Sequence, residues 1–83
     1  MAYKVTIKKS AIEILKEIQE ADYSSIKSAI LKLGINARPQ RYIKLKGREA
    51  YRIRVSDYRI IHEIFDKELV VKVIALGHRK DIY

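Results

Sequence analysis

The fourteen-residue run AYRIRVSDYRIIHE, Ala50 to Glu63, constrains the fold more than any other part of the chain. It reads as two short strands joined at Ser56-Asp57, a connection short enough for an antiparallel hairpin. Strict alternation in the first strand sends Tyr51, Ile53 and Val55 to one face and Arg52 and Arg54 to the other. A third guanidinium, Arg59, opens the second strand. Arginine is always charged and presents a planar fork of donors matched to phosphate oxygens. Like charges facing each other across a sheet are destabilising, so packing alone does not favour this cluster. An anionic ligand is expected over it, best an RNA backbone.

The charge distribution supports that expectation. Of the net +8, Arg38 to Arg59 carries eight basic residues against two acids, or +6. The rest carries ten against eight, only +2. Dispersed lysines for solubility would give a net charge but not its confinement to one segment, which is the footprint of a polyanion-binding surface. Tyr51 and Tyr58 alternate with the basic residues, but Tyr51 points away from Arg52 and belongs to the core. His62, in a row with Tyr58, Ile60 and Ile64, reads as a satisfied, partly buried histidine.

Around this hairpin, 83 residues make one domain, 1–83, with a small core; a chain of this size buries only about 60% of its unfolded surface. Cysteine is absent, which excludes disulfides, thiolate metal sites and a cysteine nucleophile. His62 and His78 lack partners at metal-ligand spacing, so no metal and no cofactor is expected. No apolar run approaches the roughly 20 residues that span a bilayer, and the N-terminus lacks a secretory apolar region. A soluble, cytoplasmic protein without membrane contact is expected.

Tyr3 to Lys8 alternates as a strand. Ser10-Ala-Ile-Glu13 fits a capping box that starts a helix, with Ala11, Ile14, Leu15 and Ile18 forming an apolar stripe. A second helix restarts near Asp22 with Ile26, Ala29, Ile30 and Leu33, and Gly34 is its expected C-terminal cap. Ile35 to Gln40, with the lone Pro39, is a connector. Arg41 to Gly47 alternates like a strand but ends quickly. Strands follow at about Ala50 to Val55, Tyr58 to Phe65 and Leu69 to Leu76. The last is the most apolar and is expected at the sheet centre, with Gly77 breaking the ladder and HRKDIY leaving the edge. The fold class is α+β: an N-terminal strand, a helical hairpin, then a three-strand antiparallel meander, with the helices on one sheet face.

YRIRVSDYRIIHEI, the apolar strand after it, and the tail GHRKDIY together resemble the RelE/ParE toxin superfamily, in its RelE-like branch. The likeness spans the chain and includes Leu45-Lys46-Gly47. Resemblance implies the toxin of a type II toxin–antitoxin system. Such a toxin is a metal-independent endoribonuclease that cuts mRNA in the ribosomal A site and is silenced by a cognate, RelB-like acidic antitoxin. It assigns Arg52, Arg54, Arg59, Arg79 and Tyr83 to catalysis, with Lys44, Lys46, Arg48 and His78 as further RNA contacts. In such chemistry the RNA 2′-hydroxyl attacks the adjacent phosphorus, and converging guanidiniums stabilise the phosphoryl charge. They also lower the Tyr83 phenol so that it can act as base. Arg79, or His78 beside it, assists the leaving oxygen. Arginines at 52 and 54 depart from the family's usual lysines, keeping the charge but removing a titratable amine. Two other functions use the same fold: a ParE-like gyrase inhibitor, and a non-catalytic nucleic-acid-binding module relying on Lys44, Lys46 and Arg48.

Overall fold

The computed structural model describes residues 2–39, 42–47 and 50–78. Two helices, α1 (Lys9–Lys16) and α2 (Glu20–Lys32), cover one face of a five-stranded sheet. Its strands are β1 (Lys4–Ile7), β2 (Ile43–Lys44), β3 (Ala50–Val55), β4 (Tyr58–Phe65) and β5 (Val70–His78), ordered β1-β5-β4-β3-β2. The β3–β4–β5 meander is antiparallel as expected, and β1 joins it in parallel beside β5. Arg41 to Gly47 supplies only a two-residue edge strand, β2, paired with Tyr51 and Arg52. The middle position belongs to β4; β5 is interior but second in order.

The core forms where the helical stripes meet the inward-facing alternation of the strands. Ala11, Ile26, Ile30 and Leu33 pack against Tyr51, Ile53, Ile60, Ile64, Val71, Val73 and Leu76. Burying each large aliphatic side chain contributes about 1.5–3 kcal/mol, so this cluster dominates stability. Ile14, assigned to the α1 stripe, is instead 40% exposed, because that short helix buries chiefly Ala11.

Three local expectations change. The first helix begins at Lys9, with Lys8 as the capping residue and no side-chain cap, so Ser10 lies inside the first turn. The second begins at Glu20, two residues before Asp22. Gly34 follows the Leu33 cap but does not adopt the left-handed conformation. Its small size serves close approach: a Cβ there would lie 3.0 Å from the Tyr3 carbonyl oxygen and 3.1 Å from a Val5 methyl. The Tyr3 amide donates to the Gly34 carbonyl at 2.6 Å, tying the end of α2 to β1.

Gly77 does not break the ladder. It pairs with Arg59, and β5 continues to His78. A bulge makes this possible. Ile61 faces Ala75 whereas His62 faces Val73, leaving Ile74 unmatched. The extra residue reverses the alternation of β5. Val71 and Val73 point to the core before it, Leu76 after it, and Gly77 falls on the opposite, uncovered face.

Candidate nucleic-acid interface

The uncovered face of the sheet carries the arginines, in rows set by the register. The first row is Arg54, Arg59 and Gly77 on β3, β4 and β5. The second is Ile43, Arg52, Ile61 and Ala75 on β2 to β5. The third is Ala50, Glu63, Lys72 and Thr6 on β3, β4, β5 and β1. Arg54 and Arg59 are directly opposed, which puts their Cα atoms about 4.5–5.5 Å apart. Arg52 lies two residues along β3, about 6.7 Å away. Three guanidiniums therefore share one patch.

The hairpin turn fixes this pairing. Val55 faces Tyr58 across Ser56-Asp57, and Ser56 adopts φ 54°, in the left-handed region that tight hairpin turns require. Arg54 is exposed, while Arg52 and Arg59 are half-buried. Among the described residues no carboxylate lies within ion-pair distance of Arg52 or Arg54. Gly77, itself buried, places no side chain beside Arg59.

The other candidates separate from this patch. Lys46 sits in the turn before β3, near Ala50, about 13 Å along the strand from Arg54. Lys44 pairs with Tyr51 on edge strand β2. His78 faces Tyr58, with ring centroids 5.5 Å apart and edge-on, on the face opposite Arg59. Arg48, Arg79 and Tyr83 lie outside the described residues.

A second polar cluster occupies the far end of the hairpin and is built on Arg38, which in sequence is one more cation of the basic segment. Arg38 forms an ion pair with Asp66 at 3.0 Å, donates to the Tyr51 hydroxyl at 3.4 Å and lies over the Tyr51 ring. The Tyr3 hydroxyl donates to Asp66 at 2.6 Å. Hydrogen bonds from Arg38 and Tyr3 hold the Asp66 carboxyl below its usual range, and the bond to Asp66 pushes the Tyr3 phenol up. Tyr51 stacks on His62, which is fully buried rather than partly so. His62 Nε2 donates to the Ala37 carbonyl at 3.0 Å, and among the described residues nothing pairs with Nδ1. Burial lowers the His62 pKa, with nearby Arg38 reinforcing the effect. The cluster fastens the connector after α2 to the sheet.

Beside the arginine patch, a cavity of about 510 Å³ lies between α2 and β3, lined by apolar Leu33, Pro39, Ile53 and Val55 and by the cations Lys32, Arg52 and Arg54.

A family described as the ParE toxin of the type II toxin–antitoxin system parDE matches residues 5–83. The chain belongs to the RelE/ParE toxin superfamily. Its fold matches a chain of the archaeal RelE–RelB complex from Pyrococcus horikoshii, at 30% identity and TM-score 0.87, covering 99% of this chain and 100% of that one. A chain of the RelB–RelE antitoxin–toxin complex of Methanococcus jannaschii is 28% identical, with TM-score 0.73 and 94% of each chain covered. Isolated E. coli RelE matches at TM-score 0.81, covering 93% and 84%, and at 24% identity it shows the fold alone. No curated protein matches. The RelE-like assignment and the α+β fold follow. Among the described residues no helix is long and apolar enough to cross a membrane.

Proposed function

We propose that this toxin is a ribosome-dependent endoribonuclease acting on mRNA, with Arg54, Arg59 and Arg52 gripping the scissile phosphate. One observation carries the reading: Arg54 and Arg59 are held face to face, with Arg52 in the next row, on a face the helices leave bare. A phosphoryl group entering this patch relieves their mutual repulsion. In the reaction the RNA O2′ attacks phosphorus in line, the O2′–P bond forms, and the P–O5′ bond breaks. The products are a 2′,3′-cyclic phosphate and a 5′-hydroxyl. The guanidiniums stabilise the charge gathering on the phosphoryl oxygens, each such donor being worth about 2.7–4 kcal/mol. By the family resemblance Tyr83 takes the 2′-hydroxyl proton and Arg79 stabilises the departing O5′, which is protonated from solvent. This chemistry needs no cofactor and belongs in the cytoplasm, at the ribosomal A site.

The partner is an acidic, RelB-like antitoxin, in keeping with the RelB complexes of the similar structures. The cavity between α2 and β3, lined by apolar side chains together with Lys32, Arg52 and Arg54, suits an amphipathic acidic segment. Purified toxin should cut message on programmed ribosomes, and Arg79→Ala should abolish cutting while leaving the fold intact. Unchanged cutting by that variant overturns the assignment. The family description favours a second reading, inhibition of gyrase. Loss of supercoiling that survives Arg79→Ala and Tyr83→Phe would establish it.

A further inference from the structure

The uncovered face should be polar throughout, because an antiparallel sheet with one packed face normally alternates apolar inward and polar outward. In its third row Thr6, Lys72 and Glu63 lie side by side, with only the small, buried Ala50 apolar. Its second row departs from that pattern. Ile43, Ile61 and Ala75 point the same way as Arg52, Ile43 is 47% exposed, and Ile61 and Ala75 are partly exposed. Apolar side chains recur further along this face at Phe65 beside Val70, but only Ile43, Ile61 and Ala75 share a row with Arg52. Among the described residues, the helices that build the core pack on the other side.

We infer that Ile61 and Ala75, flanked by Arg52, form a shelf on which one nucleobase of a single-stranded RNA lies while Arg54 and Arg59 hold its phosphate. This rests on the RNA-cleaving reading and adds to it the residues that seat the base. The geometry suits a nucleotide. Successive rows are about 6.7 Å apart along the strands, so phosphate and base of one residue can occupy neighbouring rows. Adjacent strands are about 4.8 Å apart, so Ile61 and Ala75 present a continuous platform one ring wide. Ala75, partly exposed, presents only a methyl group, so the β5 side of the platform stays low. The Arg52 guanidinium, in the same row as Ile61, can stack on the base or bond its edge. Charge complementarity selects the occupant: three cations fit a phosphodiester, and the apolar strip lies where its base falls. Contact with a flat apolar surface favours no particular base, so the shelf sets position rather than sequence.

The test uses the whole protein and two oligomers: a short single-stranded RNA with every 2′-hydroxyl methylated, which cannot be cut, and the same chain made abasic. Wild type should bind the base-bearing oligomer about tenfold more tightly, a factor typical of one stacked base. Ile61→Thr, which keeps the β-branch, should erase most of that preference while leaving the affinity for the abasic chain unchanged. Ile61→Phe should restore or exceed it. Equal binding of the two oligomers by wild type, equal weakening of both by Ile61→Thr, or no measurable binding of either would overturn the shelf. So would a preference that only an acidic peptide, and not RNA, displays for Ile61. Cleavage on programmed ribosomes is scored in parallel. Base preference without cleavage sinks the nuclease reading and leaves the shelf, whereas cleavage without base preference does the reverse.

Discussion

The two ends of the β3–β4 hairpin treat arginine in opposite ways. At the Asp66 end, Arg38 has its charge answered by a carboxylate, a phenol and a ring face, and the group seals a loop onto the sheet. At the Ser56-Asp57 end, Arg54 is set directly against Arg59, and among the described residues no carboxylate lies within ion-pair distance of Arg54. One end spends its polar groups on the fold. The other sets like charges directly across the strands, at a cost in stability. Such local costs concentrate at functional sites.

Removing charge at the arginine end should therefore cost function and not stability. Arg59→Ala or Arg54→Ala should each slow cleavage on programmed ribosomes by about 10²–10³-fold, equivalent to about 2.7–4 kcal/mol. The melting temperature of Arg54→Ala should be unchanged or higher. A variant that loses stability and keeps cutting breaks the contrast.

The far end should respond the other way. His62→Leu removes the donor to the Ala37 carbonyl and leaves that buried acceptor unsatisfied, costing about 1–3 kcal/mol in urea denaturation. Cleavage at temperatures where the variant stays folded should be unaffected.

The same histidine gives stability a pH dependence. Burial depresses the His62 pKa in the folded protein. Below the unfolded value of about 6.5 the unfolded chain takes up a proton that the folded one resists. Stability is thus complete above that pH and falls as the solution is acidified through the folded value. Asp66, also depressed, removes further stability when pH drops through the carboxylate range. Denaturation midpoints measured from pH 7.5 to 3.5 should show both losses, and His62→Leu should flatten only the first. An unaltered profile in that variant would show that the histidine is not the group responsible.

The smallest effects sharpen the distinction most. Arg54→Glu turns a repulsive cross-strand pair into an attractive one and should raise stability by about 0.2–1 kcal/mol while abolishing cleavage. Asp66→Asn should lower stability slightly, by an amount that shrinks with added salt, as expected of an exposed pair.

Much of the hairpin was legible because its information is local. Period-two alternation separates Ile53 from Arg54 without reference to the rest of the chain, and the short Ser56-Asp57 link pins the register that opposes Arg54 and Arg59. The helical stripe of Ile26, Ile30 and Leu33 was readable for the same reason. Gly77 misled, since a glycine after an apolar run resembles a strand end. Only the bulge at Ile74, an event of pairing between strands, shows that it continues the ladder. Alternation in β4 already put Ile61 on the Arg59 face, but which residues stand beside it there was decided by strand pairing.

Alternation, charge confinement and motif by themselves determined the α+β class, the family likeness and the clustering of positive charge near the β3–β4 turn. Which residues meet was decided by long-range pairing: β1 lying parallel to β5, Asp66 reaching Arg38 and Tyr3, and Gly77 and Ala75 standing beside Arg59 and Ile61. The physical reason is that a strand's period specifies two faces but not its neighbours. A single unmatched residue exchanges those faces, and only the assembled sheet shows where that happens.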